Sequence, residues 1–224
     1  MRQVPSFEDY TAQWSALHGN YQRGRSRMVD AYLRVVYAIA RPFAAVSASP
    51  DLVTLIGLAV GVAVPLLTAV NTSTAWAVAA VVVVALGVID GVDGAVAVLT
   101  SRASRWGHVA DSLVDRLVEC AMLIALQRGG APAQVALLAG VMTASQEYAR
   151  ARAAGVGLTD ITVVTVCERP TRIIATVAAF LGAAVMPGHV KLAMTLGAGV
   201  WAALGVVGLL QMVVMVRRAL MAQQ

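Results

Sequence analysis

Charged residues are scarce in this chain, and lysine is almost absent. Only 13% of the 224 residues are charged, 59% are hydrophobic, and Lys191 is the single lysine. A soluble domain of this size does not need so much apolar surface, so the composition argues against an ordinary soluble protein. The apolar runs are continuous rather than alternating, which argues against a β-barrel. We therefore predict a polytopic α-helical membrane protein.

The chain also has few cysteines and no apolar segment at its N-terminus, which excludes further kinds of site and signal. The cysteines, Cys120 and Cys167, are far apart and match no metal-binding spacing, so neither a disulfide nor a thiolate metal site is expected. Residues 1–20 lack an apolar core and contain Glu8 and Asp9, so no cleavable signal is expected. The net charge is +5, but the arginines are scattered between apolar spans. Anionic lipids and phosphate ligands explain them better than nucleic acid does.

The apolar runs divide the chain into three segments. Residues 1–25 form a polar N-terminal segment, residues 26–216 a membrane domain, and residues 217–224 a short cytoplasmic tail. Charged residues interrupt 26–46 too often for a membrane span, so an interfacial amphipathic helix is predicted there. Ser49 and Pro50 are typical of the start of the next helix. Six membrane spans then follow near 52–70, 75–98, 106–127, 131–153, 170–187 and 191–216.

Basic residues are distributed unequally between the two sides of this topology. One side carries only Arg128 and Lys191. The other carries Arg2, Arg23, Arg25, Arg27, Arg34, Arg41, Arg102, Arg105, Arg150, Arg152, Arg169, Arg172, Arg217 and Arg218. Because cytoplasmic loops are rich in arginine and lysine, both termini are predicted to be cytoplasmic. The preference for arginine over lysine is typical of a GC-rich bacterial genome, so the cell membrane of a bacterium is predicted as the location.

Four aspartates stand at the ends of two consecutive apolar segments. Asp90 and Asp93 close the second predicted span, and Asp111 and Asp115 open the third, on the cytoplasmic side. Carboxylates near hydrocarbon are costly and persist mainly where they do chemistry or bind ions. The spacings i,i+3 and i,i+4 put each pair on one helix face. Hard divalent cations prefer such oxygen ligands, so a divalent-metal site is predicted here.

The residues alone leave other interpretations of these acids open. They could form interfacial salt bridges with Arg102, Arg105 or Arg116, or they could mark a path for transported cations.

Glycines near the acids and in the first span have two predicted uses. Gly91, Gly94 and Gly107 remove side-chain bulk beside the aspartates, so that backbone or a ligand can approach closely. Gly57 and Gly61 form a small-xxx-small motif, for which close helix packing is predicted.

The stretch from Asp90 to Asp115 resembles the signature of the CDP-alcohol phosphotransferases, Asp-x2-Asp-Gly-x2-Ala-Arg-x8-Gly-x3-Asp-x3-Asp. The positions that match are Asp90, Asp93, Gly94, Ala97, Gly107, Asp111 and Asp115. The likeness, with its six spans and preceding interfacial helix, covers roughly residues 26–216. It implies an enzyme that transfers a phosphatidyl group from a CDP-linked donor, usually CDP-diacylglycerol, to an alcohol hydroxyl and releases CMP.

The resemblance also implies residue roles. Asp90, Asp93, Asp111 and Asp115 would bind Mg²⁺ or Mn²⁺, with two ions expected, and Asp115 would also be the general base on the acceptor hydroxyl. The residues expected around the CDP-linked donor are Pro50, Asp51, Thr54, Asp93, Gly94, Ala97, Arg102 and Gly107. A homodimer is expected as well.

One position departs from the signature, since Val98 stands where arginine is usual. In the family that arginine helps to hold the phosphates of the donor. Arg102 lies one helical turn further on if the helix continues, so we expect Arg102, or alternatively Arg105, to supply the charge. A membrane-anchoring role for Arg102 and a catalytically silent homologue are the alternatives.

Two arginine-rich stretches resemble those of the actinobacterial phosphatidylinositol-phosphate synthases, which use inositol phosphate as acceptor. The resemblance implies an acceptor site formed by Glu147, Arg150, Arg152, Arg169 and Arg172. Arg150 replaces the usual lysine, and Glu147 replaces a small hydroxyl residue. A carboxylate there would repel an acceptor phosphate unless an arginine neutralises it. Glycerol phosphate, serine or another polyol are therefore alternative acceptors.

Overall fold

The structure is a computed structural model that describes residues 4–17, 21–158 and 164–222. Regular structure within these ranges is entirely helical, which confirms the predicted all-α fold. The helices are α1 Phe7–Leu17, α2 Arg27–Ala45, α3 Pro50–Thr68, α4 Ser73–Thr100, α5 Arg105–Arg128, α6 Ala133–Gly155, α7 Arg169–Val185 and α8 Val190–Met221, with a 3-10 helix Pro187–His189 before α8.

Three helical segments in the described ranges are long and apolar enough to cross a membrane. They are α3, α4 and the segment Pro187–Met221. The other three predicted spans, 106–127, 131–153 and 170–187, correspond to α5, α6 and α7. Several charged side chains interrupt α5 and α6, and α7, with 17 residues, is shorter than the 19 residues of α3. The chain is thus a membrane protein with three candidate spans, and the count of six remains a prediction.

The two ends of the chain differ from the prediction. Residues 1–25 are predicted as a polar segment, but α1 forms within them. Its apolar residues Phe7, Tyr10, Trp14 and Leu17 recur every three to four positions, the period of one helix face, although the surrounding polar residues obscure it. The last span is predicted to end at 216, but α8 continues to Met221 because no glycine or proline interrupts it there.

The described residues divide into two compact units. The first comprises the described residues up to 61 together with 85–118, and the second comprises 62–84 and the described residues from 119 onward. Helices α3, α4 and α5 each contribute residues to both units. The aspartates belong to the first unit, and the predicted acceptor residues belong to the second.

Aromatic residues fix α1 on α2 in the first unit. The ring of Tyr37 lies 5.3 Å from that of Phe7 and 5.6 Å from that of Tyr10, measured between centroids. The Tyr37 hydroxyl also donates a 2.9 Å hydrogen bond to the Pro5 carbonyl. Such ring pairs contribute about 0.5–1.5 kcal/mol each beyond the burial of their area. The N-terminal helix is therefore a packed part of the first unit.

Glycines let three helices of the first unit approach one another closely. A methyl group on Gly57 would lie 3.2 Å from Ile89 Cγ2 of α4, and one on Gly61 would lie 2.6 Å from Val118 Cγ2 of α5. Neither position has room for a side chain without a shift of its neighbour. The close packing predicted for this motif is therefore observed.

In the second unit α8 packs against α6 and α7. A methyl group on Gly197 of α8 would lie 2.5 Å from Ala179 Cβ of α7. Trp201 of α8 is buried, and its indole N–H donates a 2.9 Å hydrogen bond to Thr143 Oγ1 of α6. Small residues and a satisfied indole thus allow a tight interface along α8.

Candidate active site

Three of the four aspartates come together in the first unit. Helix α4 supplies Asp90, and α5 supplies Asp111 and Asp115 one turn apart. Each offers one carboxylate oxygen, and these three oxygens lie within 4.8 Å of one another. Three like charges this close repel one another, and one cation lies near them, since Arg116 Nη2 is 3.9 Å from Asp115 Oδ2. Carboxylate oxygens are the ligands that Mg²⁺ and Mn²⁺ prefer, so this donor set fits a divalent cation.

Asp93 lies outside this group of three. Its side chain is buried, with 7% of the residue exposed. The Thr54 hydroxyl donates a 2.7 Å hydrogen bond to Asp93 Oδ2, and the Gly94 N–H donates a 2.6 Å bond to Oδ1. The structure therefore divides the predicted site of four carboxylates into three clustered acids and one that is held by α3 and by its own backbone.

The residues predicted to surround the donor line one cavity of about 480 Å³ in the first unit. All eight take part, namely Pro50, Asp51, Thr54, Asp93, Gly94, Ala97, Arg102 and Gly107. Asp90 and Asp111 of the carboxylate group line the same cavity. Carboxylates suited to a cation and a cavity of ligand size thus adjoin each other.

Arg102 reaches the cavity by a route that the sequence did not predict. Helix α4 ends at Thr100, and Ser101 adopts φ 55°, so Arg102 does not continue the helical face of Val98. The Arg102 N–H bonds Ala97 O at 2.8 Å, which is a Schellman C-cap. The Arg102 guanidinium donates to the carbonyl of Ser47 at 3.0 Å. Both Arg102 and Val98 line the cavity.

Ser47 stands at a second C-cap of the same kind. It follows α2 with φ 55°, and the next N–H, that of Ala48, bonds Phe43 O at 2.9 Å. Arg102 therefore joins the C-terminal turn of α4 to that of α2. This contact positions the guanidinium at the cavity. Arg102 is therefore not one helical turn beyond Val98, as the sequence predicted.

The three glycines near the acids have different surroundings. A methyl group on Gly91 would collide with the Tyr32 hydroxyl, so Gly91 allows α2 to pack on α4. A methyl group on Gly94 would meet nothing within 4 Å, although Gly94 lines the cavity. One on Gly107 would lie 3.2 Å from Ser104 Oγ. Only Gly94 keeps open space for a ligand.

Some residues around the cavity were not predicted from the sequence. Five come from the first two helices, namely Tyr10, Trp14, Leu17, Tyr32 and Val36. The helical spacing of the aromatic residues in α1 is a signal that could have found part of this set. Nothing in the spacing says which cavity that face would border, because this depends on how α1 packs.

Connected ion pairs in the second unit join arginines and glutamates of α5, α6 and the N-terminal end of α7. Arg172 Nε lies 3.0 Å from Glu119 Oε1, and Arg172 Nη2 lies 3.5 Å from Glu147 Oε1. Arg150 Nη2 lies 2.7 Å from Glu168 Oε1, and Arg150 Nε lies 3.9 Å from Glu147 Oε2. Glu147 thus lies between two arginines, which supply the neutralising charge that the sequence required.

The predicted acceptor residues differ in accessibility. The Arg172 side chain is 2% exposed, and removing one partner from a buried ion pair is strongly destabilising. The Arg150 side chain is 36% exposed. Arg152 is exposed, and Arg169 is partly buried. The structure brings Glu147, Arg150 and Arg172 into one set of ion pairs, from which Arg152 is separated by its position on α6.

Glu168, which the sequence did not assign to the site, holds Arg150 in place. Burial raises the pKa of its carboxyl. Hydrogen bonds from the Thr165 N–H and hydroxyl, both 2.9 Å, and from Arg150 outweigh burial, so the pKa lies below its ordinary value. Glu119 was likewise missed as the partner of Arg172. Both pairs join residues far apart in sequence, so spacing does not predict them.

Comparison with known proteins agrees with this geometry. The sequence profile of the CDP-alcohol phosphatidyltransferase family matches residues 47–216. The chain belongs to this family and is a transferase of substituted phosphate groups.

Two solved structures of the phosphatidylinositol phosphate synthase of Mycobacterium tuberculosis are similar to this chain. The one with CDP-DAG bound is 26% identical with a TM-score of 0.61, and the match covers 80% of this chain and 94% of that one. The one in complex with manganese and citrate is 27% identical with a TM-score of 0.63, and the match covers 81% and 88%. Comparison with curated proteins gives no significant match.

Proposed function

We propose that this protein transfers a phosphatidyl group from CDP-diacylglycerol to the hydroxyl of a polar alcohol and releases CMP. The main support for the proposal is that carboxylates suited to a metal line the same cavity as the residues predicted for the donor. Asp90 and Asp111 belong to the group of three acids, and they line the cavity together with all eight residues predicted for the donor. The related synthase that has CDP-DAG bound supports this donor.

The carboxylates divide the chemistry between them. Asp90, Asp111 and Asp115 would hold divalent metal, which supplies charge neutralisation for the pyrophosphate and the leaving CMP. The acceptor oxygen forms a new bond to the phosphorus of the phosphatidyl group while the bond from that phosphorus to CMP breaks. Asp115 takes the hydroxyl proton as general base. We propose that two ions bind, either Mg²⁺ or Mn²⁺. The related structure in complex with manganese supports a metal.

Asp93 and Arg102 have supporting roles in this proposal. Asp93 is oriented by Thr54 and by the Gly94 N–H, so its carboxylate is fixed at the cavity wall. It would stand next to the metal site or contact the donor directly. Arg102 would bind the donor phosphates in place of the arginine that Val98 replaces, and its contact with Ser47 positions it at the cavity.

The acceptor is proposed to be a phosphorylated polar alcohol such as inositol phosphate. Arg150 and the exposed Arg152 are the cations that an acceptor phosphate can reach, because arginine binds phosphate through parallel N–H donors. Arg172 would position Glu147 rather than contact the acceptor. The similarity to a phosphatidylinositol phosphate synthase favours this acceptor over glycerol phosphate, serine or another polyol.

The membrane arrangement is part of the proposal. We propose six spans, formed by α3 to α8, with both termini and the carboxylates at the cytoplasmic face. The unequal distribution of arginine supports this orientation. A homodimer is proposed from the family resemblance. Cysteine labelling from each side of the membrane tests the topology, and light scattering of the detergent-solubilised protein tests the dimer.

Release of CMP tests the reaction. Purified protein with Mn²⁺ or Mg²⁺, CDP-diacylglycerol and a panel of alcohols is expected to release CMP with at least one acceptor. Asp115→Asn is expected to slow release about 10²–10⁴-fold, the usual contribution of a general base. Glu8→Gln, a charge change on the exposed face of α1, is the matched control and should leave the rate unchanged. Absence of CMP with every acceptor contradicts the proposal and favours a silent homologue or a cation transporter.

The same assay identifies the acceptor. The panel contains inositol phosphate, inositol, glycerol phosphate and serine, and inositol phosphate is expected to give the highest rate. Glu147→Ser removes the carboxylate that competes for Arg150, so it should lower the KM for a phosphorylated acceptor. It should not lower the KM for an uncharged one. A preference for inositol or serine in both proteins would exclude a phosphorylated acceptor without affecting the reaction type.

A further inference from the structure

Part of the donor cavity is built by helices that the family profile does not include. Tyr10, Trp14 and Leu17 of α1 and Tyr32 and Val36 of α2 line the cavity. The profile matches only residues 47–216, so both helices precede it. These residues are aromatic or apolar, whereas the predicted donor residues include charged and hydroxyl side chains. The cavity thus has an aromatic wall, defined here as Tyr10, Trp14 and Tyr32.

The aromatic wall is held in a fixed position. The Ser15 hydroxyl of α1 donates a 2.7 Å hydrogen bond to the carbonyl of Tyr21, which precedes α2. The Trp14 ring lies 5.9 Å from the ring of Tyr21 in an edge-to-face arrangement. Tyr10 is buried, with 1% exposed, and packs on Tyr37 of α2. Trp14, which lines the cavity, is therefore held by contacts on both sides of it along α1.

The chemistry of the cavity favours a nucleotide over acyl chains as the neighbour of this wall. Asp51, Asp93 and Arg102 line the same space, and charged groups are costly to place against hydrocarbon. A volume of about 480 Å³ suits a ligand of nucleotide size. Aromatic side chains bind a base by stacking on its face, and polar neighbours can then hold the ribose and phosphates. The wall and the carboxylates supply these two kinds of contact in one cavity.

We propose that Trp14, packed beside Tyr10, stacks on the cytosine base of the donor, so that α1 is part of the nucleotide site. The proposal rests on the proposed function, because the donor is a CDP-linked lipid. It gives the N-terminal helix, which lies outside the residues matched by the family profile, a role in binding the nucleotide. It also assigns the lipid chains to a place outside this cavity.

Binding of CMP in the presence of Mn²⁺ tests the proposal on the full-length protein in detergent. Tryptophan fluorescence and calorimetry are measured for the wild type, Trp14→Phe, Trp14→Leu and Trp106→Phe. Phenylalanine keeps an aromatic face at position 14, whereas leucine keeps apolar bulk without one. Trp106 is exposed and does not line the cavity, so its variant is the matched control.

The expected results separate stacking from packing. CMP should quench wild-type fluorescence, and the quench should be lost in Trp14→Phe while its affinity for CMP is kept. Trp14→Leu should bind CMP about tenfold more weakly than Trp14→Phe, the usual loss for one stacked base. Trp106→Phe should retain both quench and affinity. Equal CMP affinity of the two Trp14 variants, or a quench that persists in Trp14→Phe, overturns the proposal. A wild type that binds no CMP would instead contradict the proposed function itself.

Discussion

Gly91 and Gly94 are three residues apart on α4, but a side chain would have opposite consequences at the two positions. At Gly91 a methyl group would enter the space of Tyr32, so a side chain there would destabilise the fold. At Gly94 it would enter the open cavity, so the cost falls on the ligand. The sequence identifies both as glycines beside acids, and only the packing of α2 distinguishes them.

Gly94→Ala is expected to fold normally and to lose donor affinity. The methyl group meets no atom within 4 Å, and alanine favours a helix over glycine. Overfilling a packed site costs about 1–3 kcal/mol, which is about tenfold or more in the dissociation constant for CMP. Calorimetry with CMP and thermal unfolding check both effects. Gly199→Ala on α8, also with no atom within 4 Å, is the control that should change neither function nor affinity. An unaltered CMP affinity in Gly94→Ala would show that the donor does not approach this backbone.

Arg102→Ala is expected to weaken binding of CDP-diacylglycerol. A hydrogen bond to a charged group contributes about 1.5–3 kcal/mol, so the KM for the donor should rise about tenfold or more. Arg105→Ala is the control because Arg105 is exposed and does not line the cavity. The double variant Arg102→Ala, Val98→Arg should recover part of the affinity, since both positions line the cavity. Unchanged kinetics in Arg102→Ala would assign this arginine to the Ser47 contact alone.

Among the elements, the helix ends near the site are only partly predicted from the sequence. The sequence predicts the start of α3 at Pro50 from local chemistry alone. It does not predict that α4 stops at Thr100, because serine is not the usual residue at a left-handed C-cap. The assumption that α4 continues through Arg102 was wrong, although Arg102 lines the cavity by another geometry. Helix α1 was missed because its aromatic face becomes meaningful only when α2 covers it.

The segment that leads into α7 is expected to lose stability in acid through Glu168. The pKa of this carboxyl lies below its ordinary value of 4.5, so the fold favours the ionised form. Its stabilisation is complete above the ordinary value and disappears as the pH falls through the lower, folded-state value. The melting temperature of the wild type should therefore exceed that of Glu168→Gln at neutral pH, and the difference should shrink below pH 4.5. Glu8→Gln, on the exposed face of α1, controls for loss of one charge. A difference that is independent of pH would contradict this account.

At the scale of the whole molecule, a divalent cation is expected to stabilise the fold. The three carboxylates come from α4 and α5, so a cation that binds them links two helices and removes their mutual repulsion. Mn²⁺ at 100 times its dissociation constant should add about 2.7 kcal/mol to the free energy of unfolding. Asp111→Asn should reduce this increment because one of the three carboxylate ligands is gone. Thermal unfolding of both proteins with Mn²⁺, and with EDTA as the reference, measures the increment. The same shift in Asp111→Asn and in the wild type would place the cation elsewhere.

The sequence by itself determined the class of protein, the position of its apolar helices and the residues of the signature. Composition, helical spacing and the order of glycines and acids are local properties, so they can be read along the chain. Tertiary structure decided which of those residues meet. It brought three aspartates together and left Asp93 outside that group, hydrogen-bonded to Thr54. It also paired Arg172 with Glu119 and Arg150 with Glu168. It also placed α1 against the donor cavity. These outcomes depend on how separate helices pack. Helix packing results from many weak contacts between residues that are distant in sequence, so no local sequence pattern predicts it.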